Sequence, residues 1–536
     1  GFKLLRSAET GVAFTNILTD VKMMVNKNLM NGSGVALGDY DGDGLCDIYF
    51  PNINGANVMY KNLGDMKFQD VTRESGVESI GKNSTGAVFA DVDGDSDLDL
   101  IVTAMGNPNI VFRNDGNGKF SKLSGFPGMN NKYGSNSIAL SDVDGDAALD
   151  MYITNFGYQS LVRSGGLVRI MYRNGKPYVR GKFAKRIMFI DGLMFELGEE
   201  DYFLINDGNG NFKSEPITSG RFLDATGKAY EKAPFDQGLC VTFRDINGDM
   251  APDLYICNDS FTPDRFFLND GKGIFKEVDI FNFRKTPFFS MGADFADIDR
   301  DGDDDFIVVD MLSRRHQQRM TQRGTMPVRP QTMGNLDSRD QVRRNNLYLN
   351  RGDGSFAEVA NFSGVSASGW TWTPVFIDVD LDGWEDLLVT NGFEYDVDDL
   401  DTIELVGRKK TSSLAEQRRD IFLYPRDDSP NYAFRNLKNT RFEEVGDEWG
   451  FNGKNVSNGM ATADLDNDGD LDIVVSNTNT PAEIYQNITA KPRVSIRLHG
   501  KFPNTFGVGA RITFEGGPVS QSQEIIAGGR YVSGDD

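Results

Sequence analysis

ADLDNDGDLDIVVSN, residues 463 to 477, places five aspartates within nine positions and runs straight into an apolar, β-branched stretch. Clustered carboxylates repel one another and raise each other's pKa unless a cation sits among them. Asp464, Asp466 and Asp468 hold positions one, three and five, Gly469 follows, and Asp472 stands at nine. This is the spacing of an EF-hand-type calcium loop, in which hard oxygen ligands alternate and a backbone carbonyl, here that of Asp470, fills position seven. The bidentate Glu expected at position twelve is missing. Ile473, Val474 and Val475 follow with no helical period, so the loop joins two strands rather than two helices.

Six further copies exclude chance. DYDGDGLCD supplies Asp39, Asp41, Asp43 and Asp47, and DVDGDSDLD supplies Asp91, Asp93, Asp95 and Asp99. DVDGDAALD supplies Asp142, Asp144, Asp146 and Asp150, and DINGDMAPD supplies Asp245, Asn247, Asp249 and Asp253. DIDRDGDDD supplies Asp297, Asp299, Asp301 and Asp305, and DVDLDGWED supplies Asp378, Asp380, Asp382 and Asp386. The position-seven carbonyls are those of Leu45, Asp97, Ala148, Ala251, Asp303, Trp384 and Asp470. About seven structural Ca²⁺ ions are therefore expected.

A second element follows each loop: an apolar-aromatic run, Asn, a turn, then Phe, as in VFRNDGNGKF, FFLNDGKGIF and LYLNRGDGSF, with a truncated IYQN ending at Asn487. Such turns between β-rich runs mark hairpins. Loop starts lie 52, 51, 103, 52, 81 and 86 residues apart, so the period is about 50 and the long intervals are insertions near 157–200, 312–343 and 392–430. Several strands per period of this size imply propeller blades, none of which buries its core alone. FKLLRSAETGV at the start reads like the end of a repeat, so one blade is expected to combine both ends of the ring.

These loops resemble FG-GAP or VCBS repeats, the calcium-bearing seven-bladed propeller shared with integrin α-subunits. NTFGVGARITFEGG, Asn504 to Gly517, resembles the ASPIC/UnbV module that follows such a propeller in the cartilage acidic protein family and its bacterial relatives, and FFSMGADFADIDRDGDDDFIVVDML and SGWTWTPVFIDVDLDG, stretches of the repeats themselves, resemble the bacterial group. The implied fold is all-β: a propeller over 1–488 and a small β module over 489–536, expected to continue past Asp536.

A formal charge of −23 makes nucleic acid an improbable partner, since phosphate binding needs a basic face. Seven Ca²⁺ would reduce it to roughly −9. Calcium loops of extracellular modules bind at about 10⁻⁴ to 10⁻³ M, which points to an extracellular, cell-surface or periplasmic location. The sequence contains no signal peptide or transmembrane run, and a first residue other than Met suggests processing or trimming. Cys240 and Cys257 flank the fourth loop and are read as unbridged core thiols; Cys46 has no evident partner.

Each loop carries Gly at position four or six: Gly94, Gly145 and Gly248 at four, Gly302, Gly383 and Gly469 at six, and both Gly42 and Gly44 in the first. Left-handed backbone at one of two places, and hence two loop subclasses with equal ligand sets, is the expectation. Catalysis is not expected. His316 and His499, the two histidines, lie in unrelated segments, and the recognisable Asp clusters are assigned to metal. A carboxylate-based enzyme or accessory subunit acting on glycans is the alternative, and its mark would be a perturbed carboxylate pair in a pocket away from the loops.

Arg351 to Asp353 spells RGD but occupies the turn that other repeats fill with DGNG. The basic run 313–330 either grips an acidic partner or neutralises Asp on its own ring. EYDVDDLD and GRKKTSSLAEQRRD in the 392–430 insertion are complementary surfaces or solvated helix faces, and Trp370 and Trp372 are read as blade core. The expected role is a non-enzymatic recognition, adhesion or self-assembly module. Its partner would be a protein or polysaccharide at the cell surface, or other copies of the chain.

Overall fold

The computed structural model describes residues 1–536 except 128–130, 162, 163, 165–167, 191, 261, 323–338 and 410–412. Seven sheets, each built on four antiparallel strands, form the blades of a propeller. In every blade the ninth loop position opens the second strand: Asp47, Asp99, Asp150, Asp253, Asp305, Asp386 and Asp472. The repeat Asn closes the third strand in each, from Asn62 to Asn487. Phe2–Leu5 pairs with Glu483–Asn487 as the outer strand of the last blade, Phe2 opposite Asn487, so both ends of the ring meet in one sheet as expected.

Each core forms between neighbours. Leu37, Ile48 and Phe50 of blade 1 pack with Ala461, Val474 and Ile484 of blade 7, whereas the opposite face of blade 1, Ala36, Tyr49 and Met59, packs with Phe89, Leu100 and Phe112 of blade 2. That alternation is what a strand buried on both faces requires.

Antiparallel order puts the Asp loops and the Asn-Phe turns at one end of the ring. Connections from second to third strand lie at the other, and all three insertions occur there. The first carries two hairpins, Ile170–Arg173 with Lys176–Val179 and Ile187–Ile190 with Leu193–Glu196. The second includes the helix His316–Thr321; the third carries Leu400–Arg408 and Leu414–Arg419. Residues 216–237 add Phe222–Leu223 as a fifth strand of blade 4, beside Phe275–Glu277.

Residues 489–536 do not stand apart from the ring. Lys491 meets Asp380, Arg493 meets Asp468, Arg497 meets Asp39, Thr505 bonds Asp91 and Arg511 meets Asp304, so the tail crosses the loop face. It then enters the central channel. Ala527–Gly528 pairs with the inner strand of blade 3, Val532 bonds Ala87 of blade 2, and Gly534 exchanges bonds with Val35 and Leu37 of blade 1. The Cys240 thiol of blade 4 donates to the Gly529 carbonyl, Arg530 meets Asp294 of blade 5, Tyr531 lies 5.1 Å from Trp372 of blade 6, and Asp535 accepts from Thr462 of blade 7. Thus 527–536 touches the inner strands of all seven blades.

Room for this segment comes from small residues five positions before each loop: Gly34, Gly86, Ser137, Cys240, Gly292, Thr373 and Gly459. A Cβ on Gly34 would lie 1.8 Å from the Val532 oxygen. Sequence reading missed this register, although its spacing from the Asp repeat was visible. It also accounts for Cys240, which is free, buried and directly opposite Cys257. Trp372 is buried in the core as expected and also borders the channel through Tyr531, and Trp370 stacks on Phe393 at 4.0 Å. The RGD residues sit in the turn between Asn346–Asn350 and Phe356–Glu358.

The basic and acidic insertions pair with each other. Arg315 meets Asp428 at 3.0 Å, Arg343 contacts Asp398, and Gln322 donates to Asp396. The remainder of the basic run, 323–330, lies outside the described residues.

Candidate metal centres

All seven loops share one backbone. The carboxylate at position one accepts main-chain N–H bonds from within the loop, for instance Asp43 and Gly44 to Asp39 at 3.0 and 2.8 Å, and Asp468 and Gly469 to Asp464 at the same distances. The position-five carboxylate accepts from the N–H of position seven in every copy: Leu45, Asp97, Ala148, Ala251, Asp303, Trp384 and Asp470. The expectation of two subclasses is corrected. Positions four and six are both left-handed in every loop, glycine or not: Ser96 has φ 76°, Ala147 70°, Met250 67°, Arg300 64°, Leu381 52° and Asn467 57°. Wrapping the chain round position one needs two left-handed residues, and a side chain at one of them costs about 1–2 kcal/mol, small against the bonds that hold it there.

The ninth-position carboxylates are deeply placed. Asp99 accepts from Val92 and Asn114 N–H groups, and Asp472 accepts from Leu465 and Asn487. Burial, the largest influence, pushes Asp47, Asp99, Asp150, Asp386 and Asp472 up to about 8 and Asp305 to about 9. Asp97 rises to about 7, first through burial and then through the charge of Asp95.

Position three carries the decisive feature. Asp41, Asp93, Asp299 and Asp466 each bury an Oδ1 that has no hydrogen-bond partner, while the other oxygens of Asp41, Asp93 and Asp466 meet Lys61, Arg113 and Gln486. A bare buried carboxylate oxygen is costly unless something electropositive faces it. In at least five loops three carboxylate oxygens lie within 4.8 Å of one another: Asp39, Asp41, Asp43; Asp91, Asp93, Asp99; Asp142, Asp144, Asp146; Asp297, Asp299, Asp305; and Asp378, Asp380, Asp386. Oxygens bound to one ion at 2.3–2.6 Å have this separation. The fourth loop differs, because Asn247 turns its amide onto Asp249 at 3.0 Å.

The repeat Asn, unexplained by sequence, proves to be a stitch beneath the loops. Asn206 donates to the carbonyls of Leu149 in its own loop and Val92 in the preceding one. Asn62, Asn114, Asn269, Asn350 and Asn436 repeat that bridge, and Asn487 reaches Val379. Asn alone offers two donors on a short stem for two carbonyls and an acceptor for the turn.

The FG-GAP-like repeat model matches residues 39–102, 91–153, 245–308, 336–389 and 417–475, together more than half of the chain. Cartilage acidic protein 1 of Xenopus tropicalis is 24% identical over 168 residues, 30% of this chain and 24% of that protein; its Homo sapiens counterpart is 25% identical over 152 residues, 28% of this chain and 23% of that protein. The match thus spans about a quarter of these relatives' length. An Agrocybe aegerita lectin described as recognising non-reducing terminal N-acetylglucosamine overlaps 77% of this chain and 79% of its own, at 14% identity and a TM-score of 0.38. Seven Asp-loop blades and the repeat matches agree: the chain belongs to the FG-GAP-like repeat family.

Proposed function

We propose that this chain is a calcium-stabilised extracellular recognition or adhesion module and not an enzyme. The observation that carries the metal assignment is the bare, buried Oδ1 of Asp41, Asp93, Asp299 and Asp466 at position three, in residues that for Asp41, Asp93 and Asp299 cluster with the carboxylates of position one and of position five or nine. Positions one, three, five and nine and the carbonyl of position seven would hold Ca²⁺, which would face the carboxylate oxygens that the neighbouring Lys and Arg side chains leave unmet. Weak extracellular-type affinity is useful only where calcium is plentiful, which favours the cell exterior. Among the described residues no helix is long and apolar enough to cross a membrane. The tail, which carries the ASPIC/UnbV-like stretch, would act as part of the ring.

The enzyme alternative draws little support. The carboxylates nearest its requirement, Asp201 and Asp236, line a cavity of about 20 Å³, room for about one water. Asp236 is held by Arg265 at 2.6 Å and Asp201 by the Tyr152 hydroxyl at 3.0 Å. Thermal unfolding in calcium and in EGTA tests the proposal. With Kd near 10⁻⁴ M, about 2 mM calcium contributes roughly 1.8 kcal/mol per loop, so chelation should lower Tm by many degrees. An unchanged melt would overturn the metal assignment.

A further inference from the structure

The chain is acidic overall, yet residues 168–190 contain no Asp or Glu and carry seven Lys or Arg. Six of these, Arg169, Arg173, Lys176, Arg180, Lys182 and Lys185, are exposed. None of the six forms an ion pair among the described residues. The seventh, Arg186, is buried on Glu196 and Glu199 and fixes the root of the element. By contrast, Arg493, Arg497, Arg511 and Arg530 of the tail and Arg315, Arg339 and Arg343 of the second insertion meet carboxylates.

Ile170–Arg173 and Lys176–Val179 make a two-stranded hairpin closed by Asn174 and Gly175, with φ of 50° and 74°. Two consecutive left-handed residues of this kind give the rigid turn that matches strand twist. Met171 faces Tyr178 and Arg173 faces Lys176, so by the pleat Arg169, Arg173, Lys176 and Arg180 share one side with Tyr178. The Arg180 guanidinium lies 5.6 Å from the Tyr178 ring. Two cation pairs therefore flank an aromatic ring, about 13 Å apart along the strands. The hairpin projects from the end of the ring opposite the Asp loops.

We propose that this hairpin is a binding surface for an anionic polysaccharide, one bearing repeated carboxylate or sulfate groups. The proposal rests on the recognition reading above and names its partner class. A linear polyanion satisfies both cation pairs at once and lays a sugar face on Tyr178. A second copy of the chain fits less well, because the acids of its loop face are engaged with their own backbone and with Arg493, Arg497 and Arg511. Duplex DNA fits less well too, since a few contacts on an acidic body fall short of the phosphate count that binding needs.

Binding of the full chain, in calcium, to heparin and polygalacturonate is measured by titration calorimetry, with neutral dextran and a short duplex DNA alongside. Both polyanions are expected to bind, more weakly as salt rises, and dextran is expected not to bind. The variant R169E/R173E/K176E/R180E is expected to weaken binding on the order of 30-fold or more, while K228E/K232E, which reverses exposed charges elsewhere, leaves it unchanged. Should the quadruple variant melt early, R173Q/K176Q at the turn serves instead, with a smaller loss. Absence of polyanion binding, binding indifferent to the hairpin charges, or tighter binding to DNA would each overturn the proposal. So would salt-sensitive association between copies that the hairpin variant abolishes without polyanion binding. The calcium melt is read separately, so failure here leaves the metal assignment standing.

Discussion

Replacing Asp264 by Asn should stabilise the protein, and more so as pH rises. Asp264 is fully buried in blade 4, five residues before Asn269. Its Oδ1 accepts from the Asn258 N–H at 2.8 Å and its Oδ2 from the hydroxyls of Tyr255 and Ser290 at 2.7 and 2.9 Å. Burial outweighs these three donors and pushes its pKa from 3.8 up to about 7. Asn57, Asn109, Asn345 and Asn431 occupy the same place in blades 1, 2, 5 and 6, each accepting from the matching main-chain N–H, so the amide fits the site. A carboxyl whose pKa is raised on folding holds its proton more tightly in the folded state. Its destabilising effect is absent below about pH 4, grows as pH rises, and is complete above about pH 7. The full difference corresponds to about 4 kcal/mol as a ceiling, of which about 2–3 kcal/mol develops between pH 5 and 8. Urea unfolding of wild type and variant side by side in excess calcium, at pH 5, 6, 7 and 8, lets the loop carboxylates cancel. A stability gap that does not change with pH would refute the reasoning, because the carboxylate would then carry its charge throughout.

Asn206→Ala removes the bridges to Leu149 and Val92 and should cost about 2–3 kcal/mol by leaving two buried carbonyls unsatisfied, with weaker calcium binding seen by calorimetry. Met250→Gly should stabilise by up to about 1 kcal/mol, since Met250 is 92% exposed and left-handed, so its side chain contributes strain and little packing; a lower unfolding midpoint would contradict this. Gly34→Ala places a methyl against the Val532 oxygen and should expel the tail from the channel, which limited proteolysis detects as early cleavage after residue 525. Solution mass by light scattering, with calcium and then EGTA, distinguishes self-assembly from recognition of a foreign ligand; a calcium-dependent polymer would favour assembly.

The sequence spoke most plainly where one side chain answers to one atom. Asp464 to Asp472 could be aligned with six other loops because a tight loop that gathers carboxylates round one point fixes residue type and spacing together. The closing strand at Phe2 was legible because FKLLRSAETGV repeats the pattern of FQDVTRESGV. What escaped notice were contacts made to backbone. Asn62 and its equivalents were seen but not understood, since their partners are carbonyls of two different blades. The left-handed turn at Ser96 or Leu381 was hidden because glycine is preferred there but not required. Gly34, Gly86 and Gly459 looked like ordinary strand residues until the tail was found beside them.

The occupied channel also changes how the ring holds together. In a chain of repeats each unit touches only its neighbours, stability is a sum of local terms, and structure frays from the weakest unit outward. Here residues 527–536 give blades on opposite sides of the ring a common partner, as Asp294 of blade 5 and Ala87 of blade 2 both bind within Arg530 to Val532. A blade that loosens therefore slackens the segment that its distant counterparts rely on. Seven weakly dependent units become one all-or-none body, and partial unravelling of a single blade is disfavoured even where no neighbour resists it.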